Sequence, residues 1–164
     1  MNRELDPRRL GDHIDRLYRA ACALTGSRVD ADDLVQETYA RVLSRPRLLR
    51  SDDDVGYLLQ VMRNLFLDQR RAAARRPVEA MDPEDLERVD RNVTAGPQAA
   101  VETREVFAAV SALPEDFRDV IVAVDIVGLS YKEAAKSLKI AEGTVMSRLY
   151  RARGRVAKAL GAPA

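Results

Sequence analysis

Thr144, Ser147, Arg148, Arg151 and Arg155 share one side of a helix if the local structure is helical, and Val145, Leu149, Ala152 and Val156 share the other. From Thr144 to the C-terminus this 164-residue chain has five basic residues and no acidic one. Guanidinium groups grip guanine edges or phosphate oxygens, and small hydroxyl side chains let a helix approach base edges and backbone closely. An apolar back with a small-polar, arginine-rich front suits a DNA major groove. A solvated basic surface helix is the plain alternative. The compact turn upstream and the sign of the charge favour DNA.

The elements that position this face are legible upstream. Ser130 stands at an N-cap position with Glu133 three residues later, which is a capping box. Tyr131, Ala134, Ala135 and Leu138 fall on one helical face, and Ile140 is an apolar plug in the turn. The second helix begins near Glu142. Gly128 to Arg155 therefore reads as a helix-turn-helix.

A second group able to hold nucleic acid lies between Arg63 and Arg76, with five Arg against one Asp. The stretch from Pro77 to Pro97 then has six acids against two Arg. The net charge of +1 says nothing about a partner, but two basic blocks flanking an acidic one fit two nucleic-acid contacts joined by a linker.

The remaining pattern is helical. Asp6-Pro7 starts a first helix carrying Leu10, Ile14, Leu17, Tyr18, Ala21 and Leu24, and Gly26 ends it. Asp30 can cap a second helix with Leu34, Val35, Thr38, Val42 and Leu43 inward, stopped at Arg45-Pro46. Ser51 or Asp52 restarts a third, with Val55, Leu58, Leu59, Met62 and Phe66 buried. Gln98 to Leu113 resumes the period through Val101, Val106, Ala109 and Val110. Pro114 opens another helix with Glu115 and Asp116 in its first turn, where they favour the helix dipole, and with Phe117, Val120, Ile121 and Val124 as its core face. No segment alternates with the strand period. The expected fold is all-α: two small helical domains, 6–77 and 98–160, joined by a flexible acidic linker over 78–97.

The single Cys22 has apolar neighbours at helical spacing and reads as a small core residue in a reducing interior. The N-terminus has no apolar signal run, and no stretch approaches the ~20 apolar residues of a membrane span. The expectation is a soluble cytoplasmic protein without membrane insertion. An enzyme is disfavoured. His13 is the only histidine, there is no Gly-rich phosphate loop, and Asp32, Asp33 and Glu37 lack further carboxylate or histidine ligands for a metal. No cofactor is expected.

DADDLVQETYARVL (Asp30 to Leu43), YLLQVMRNLFLDQRR (Tyr57 to Arg71) and the final helix-turn-helix stand in the order seen in bacterial RNA polymerase sigma factors of the sigma-70 family. The lengths resemble the two-domain extracytoplasmic-function (ECF) group, and the resemblance covers nearly the entire chain outside the acidic linker. It implies that Asp33, Leu34, Val35, Gln36 and Glu37 dock on a coiled coil of core RNA polymerase. It implies that the third helix opens the −10 promoter element, with Tyr57, Arg63, Asn64, Arg70, Arg71, Arg75 and Arg76 as contacts. The loop Ser44 to Asp54 would receive a flipped base. Tyr57 stands where the family often has Trp, and the chain has no Trp. Phe66 reads as core, and Asp68 as orienting the neighbouring Arg side chains. The helix-turn-helix would read the −35 element through Thr144, Ser147, Arg148, Arg151 and Arg155. The implied partners are core RNA polymerase, promoter DNA and an anti-sigma protein wedged between two freely reorienting domains. A stand-alone helix-turn-helix regulator is the alternative, but it leaves DADDLVQE and the basic third helix without a role.

Overall fold

Asp6 and Pro7 open the first helical segment for the reason their types suggest. The Asp6 carboxylate accepts the Arg8 amide at 2.9 Å, and proline loses nothing where the N–H would be orphaned. The computed structural model of the chain describes residues 3–45, 48–49, 53–75 and 97–162. Pro7–His13 is a 3-10 stretch that runs into α1, Ile14–Thr25. Gly26 ends α1 in the left-handed region at φ 70°. Helix α2 spans Arg28–Ser44 and α3 spans Asp54–Ala74. Leu17, Leu34, Leu58 and Met62 are fully buried where these helices meet.

Several local expectations are corrected. Ser27, not Asp30, caps α2, its hydroxyl accepting the Asp30 amide at 3.3 Å. Asp30 sits inside the first turn. Asp53 caps α3 by accepting the Gly56 amide at 2.8 Å. The expected starts at Ser51 and Asp52 lie outside the described residues. Leu43 is 52% exposed, because the face that buries Leu34, Val35, Thr38 and Val42 turns the next position outward. Among the described residues, the one departure from all-helical structure is a two-residue antiparallel pairing, Arg3 with Leu49 and Glu4 with Leu48. Two residues are too few to show a period.

The second domain comprises α4 (Pro97–Ser111), α5 (Glu115–Ile121), α6 (Tyr131–Leu138) and α7 (Glu142–Ala159). Val110, Val120, Val122, Val145 and Leu149 fill its core. Val101 is half exposed, because α4 buries itself through its second half. A π-helical turn, Val122–Ile126, extends α5 before Gly128 closes it at φ 86°. Both arms of the Ser130–Glu133 capping box are present, at 3.1 and 2.7 Å. Lys139 takes the left-handed conformation at φ 56°, and half-buried Ile140 follows in the turn. The expected linker lies outside the described residues except for Pro97, which begins α4.

The two domains pack directly on each other, so the expected free reorientation is not what this structure holds. Helix α1 meets α4 and the π-helical turn, and α3 meets α6. Arg16 Nε donates to the Val127 carbonyl at 2.9 Å. Ser137 Oγ donates to the Gly56 carbonyl at 2.8 Å in a buried position. Arg118 of α5 is only 2% exposed and lies 4.9 Å from the Phe66 ring centroid on α3.

Gly26 is both the left-handed cap of α1 and a point of close approach to α4. A Cβ there would fall 2.7 Å from Ser111 Oγ. Gly26→Ala is expected to cost about 1–2 kcal/mol, mostly from the left-handed backbone. The check is urea unfolding, with a lower midpoint and an unchanged slope.

Candidate nucleic-acid interface

The α7 surface is built as its pattern requires. Val145, Leu149 and Ala152 are buried against the domain core, which turns Thr144, Ser147, Arg151 and Arg155 outward. Arg151 and Ser147 are exposed, Thr144 is half-buried, and Ser147 Oγ donates back to the Thr144 carbonyl at 3.2 Å. Two of the five expected contacts are engaged by α5. Arg148 Nη1 lies 3.4 Å from Asp116 Oδ1. The Arg155 guanidinium stacks 4.6 Å from the Phe117 ring centroid. Sequence reading passed over Met146 and Tyr150, which share the outer surface of α7 at 49% and 82% exposure. Their signal was present: large apolar side chains outside the buried stripe. Arg153, also passed over, makes a two-pronged bond to Asp125 at 2.9 and 2.7 Å and ties α7 to the π-helical turn.

On α3, Asn64, Arg70, Arg71 and Arg75 are exposed, Tyr57 is half-buried against the core, and Arg76 lies outside the described residues. Arg70 lies 5.5 Å from the Phe66 ring centroid. Arg71 sits 3.6 Å from Asp68 in an exposed pair. Phe66 is buried and is not a surface for stacking bases. Arg63 is held elsewhere. Its Nε donates to Asp119 Oδ2 at 2.6 Å and its Nη2 to Glu115 Oε1 at 3.3 Å, both on α5 of the other domain.

The DLVQE segment splits by burial. Leu34 and Val35 are core residues, so they hold α2 in place and cannot face a partner. Asp33, Gln36 and Glu37 are exposed on its outer side. Glu37 accepts a hydrogen bond from the Gln69 amide of α3. Asp30, Asp33 and Glu37 line a cleft of about 590 Å³ together with Arg70 of α3 and Ser111 of α4.

The first turns of α5 thus connect the basic surfaces. Glu115 and Asp116 were read from sequence only as favouring the helix dipole, and Asp119 was not singled out. In the structure Glu115 and Asp119 hold Arg63, and Asp116 holds Arg148. Burial pushes the Asp119 carboxyl above the usual range, and the Arg63 hydrogen bond pulls it back. Burial lowers the Arg118 guanidinium from its ordinary value. Arg118 Nε and Asp119 Oδ1 have no hydrogen-bond partner.

Cys22 is buried beside Tyr18; burial raises its thiol, and also raises the Tyr18 phenol to about 12. A raised thiol is a poor nucleophile. Among the described residues no cluster of His, Cys, Asp and Glu could hold a metal ion, and no helix is long and apolar enough to cross a membrane.

Residues 10–76 match the family Sigma-70 region 2, and residues 103–156 match Sigma-70, region 4. The chain is 40% identical over 144 residues to the ECF RNA polymerase sigma factor SigE of Mycolicibacterium smegmatis, covering 86% of this chain but 56% of that protein. It is 35% identical over 148 residues to the ECF RNA polymerase sigma factor EcfG of Rhodopseudomonas palustris, covering 90% of this chain and 80% of that one. The fold is similar, at a TM-score of 0.72 and 25% identity, to the sigma factor RpoE solved with the anti-sigma factor NepR from Bartonella quintana, over 94% of this chain and 95% of that one. It is also similar to CnrH in complex with the cytosolic domain of CnrY, at a TM-score of 0.64 and 25% identity over 96% of this chain and 88% of that one. Both halves, in this order and over most of the length of full relatives, place the chain: it belongs to the extracytoplasmic-function group of sigma-70 family RNA polymerase sigma factors.

Proposed function

We propose that this chain directs core RNA polymerase to two-part promoters in the cytoplasm, with α7 reading the −35 element and α3 opening the −10 element. The observation that carries the reading is the division of labour between faces. The outer sides of α7 and α3 carry exposed basic residues, Arg151 on the one and Arg70 and Arg71 on the other, while the outer side of α2 is acidic. A phosphate backbone is attracted to the first two and repelled by the third. The acidic face therefore suits a basic polymerase helix, with Asp33, Gln36 and Glu37 as its contacts. Run-off transcription on a promoter library with core polymerase tests the reading. Transcripts that require the chain are expected, and none would appear if it only bound DNA.

An inhibitory protein partner fits the same arrangement. The fold resembles, over both domains, a sigma factor solved with its anti-sigma factor. The domains here already touch, so the partner would clasp or displace this contact rather than fill an empty gap. A pull-down from cells under non-inducing conditions is expected to recover such a protein with the chain.

Arg151→Ala is expected to weaken −35 duplex binding by about 1–3 kcal/mol and relax preference at one base pair. Arg148→Ala acts on a partly exposed side chain shared with Asp116. It is expected to weaken binding evenly across sequences, as loss of a phosphate contact does. Fluorescence anisotropy at fixed salt distinguishes the two patterns.

Asp33→Arg is expected to lower holoenzyme assembly on size-exclusion chromatography while leaving −35 duplex binding by the full chain unchanged. Asp33 is exposed on α2, so its reversal touches neither the buried core nor α7. Normal assembly by this variant would remove α2 from the docking surface.

A further inference from the structure

We infer that Arg63 and the carboxylates of Asp119 and Glu115 form an intramolecular latch that closes the two domains and withholds Arg63 from DNA. The inference rests on the reading of α3 as a DNA-contacting helix and adds a way in which that helix is regulated.

The geometry makes the two uses of Arg63 exclusive. Its Nε is committed to Asp119 at 2.6 Å and its Nη2 to Glu115 at 3.3 Å. A phosphate approaching the same guanidinium would come close to both carboxylates and be repelled. The closed state needs Arg63 as much as DNA would. Asp119 is 5% exposed, and Arg63 gives its Oδ2 a hydrogen bond while its Oδ1 has none. Without Arg63 the buried carboxylate would face only the Arg118 guanidinium, whose Nε lies 3.8 Å from Oδ1. An unsatisfied buried charge is costly, so removing Arg63 from Asp119 favours separation of the domains.

The interface is also built to come apart. Arg118 Nε is left without a hydrogen-bond partner in the closed form, a loss that water would restore on opening. Closure bears on the second surface too, since Ser111 of α4 lines the same cleft as Asp33 and Glu37. Opening therefore frees the −10 arginine and widens the approach to the acidic face of α2 in one movement.

Asp119→Asn in the full-length chain tests the latch. Asparagine keeps the volume and removes the charge that holds Arg63. The variant is expected to show a larger radius of gyration by small-angle X-ray scattering. It is also expected to bind a fluorescein-labelled mixed-sequence single-stranded DNA about fivefold more tightly at the same salt, as a larger competent fraction requires. Circular dichroism confirms that its helices persist. Glu115→Gln, at a half-exposed position, is the second variant and is expected to shift both readouts in the same direction by less. Unchanged size and unchanged DNA affinity in both variants would overturn the latch. Expansion without tighter DNA binding would overturn the competition for Arg63. The scattering measurement does not depend on promoter activity. A chain that fails to transcribe with core polymerase but still expands in Asp119→Asn would sink the proposed promoter-directing role and keep the latch.

Discussion

A buried arginine decides how this molecule is put together. Arg118 is 2% exposed and stacked on Phe66, with Asp119 beside it and Arg63 beyond. Taking a guanidinium out of water costs several kcal/mol unless opposite charge and hydrogen bonds replace the solvent. Here the replacement is shared between domains: Phe66 and Arg63 come from α3, and Arg118 and Asp119 from α5. Neither domain alone can satisfy the set. The result is a row of charges, positive, negative, positive, that exists only when the domains meet. A purely apolar interface of the same size would be indifferent to phosphate. This one is not, because a polyanion competes for the same cation.

That arrangement treats the two basic surfaces unequally. Arg148 and Asp116 pair at 3.4 Å with Asp116 65% exposed, and such pairs contribute about 0–1 kcal/mol. If α7 meets DNA as proposed, phosphate can replace Asp116 at little cost, with no change of fold. Arg63 is paired with a nearly inaccessible carboxylate, and its release requires the interface to open. On the proposed roles of α7 and α3, reading of the −35 element would precede engagement of the −10 element, because Arg148 is lightly held and Arg63 is tied into the domain contact. The single short helix α5 sets this order, since its acids hold Arg63 and Arg148 and its Phe117 holds Arg155.

Much of this was legible in the sequence where the determinants are local. The capping box at Ser130, the left-handed stop at Gly26 and the buried stripes of α3 and α7 depend on residues within a turn or two of each other. Ser27 and Asp30 show the limit of that reading, since both are cap-forming types and only backbone geometry selects Ser27. The domain contact was not legible. It is made by Gly26 against Ser111, Ser137 on the Gly56 carbonyl and Arg16 on the Val127 carbonyl, and small or polar residues leave no mark on hydrophobic periodicity. Arg63 was visible as charge, but its partners lie 52 and 56 residues away in the chain. Leu34 and Val35 failed in the opposite sense: a motif resemblance marked all of Asp33 to Glu37, and burial divides it.

The covalent connection through residues 76–96 changes what such an interface must supply. Joining two domains by one short connection makes their encounter intramolecular, at an effective concentration on the order of millimolar. An interface with only a millimolar dissociation constant between separate domains would then sit near balance between closed and open. Near that balance, a change of about 1.4 kcal/mol shifts the ratio tenfold, the scale of one well-placed ion pair. On the roles proposed for α2, α3 and α7, polymerase and promoter would meet this chain at several separate surfaces. Each contact made only in the open form would add to the same shift, so their joint binding can open the domain contact.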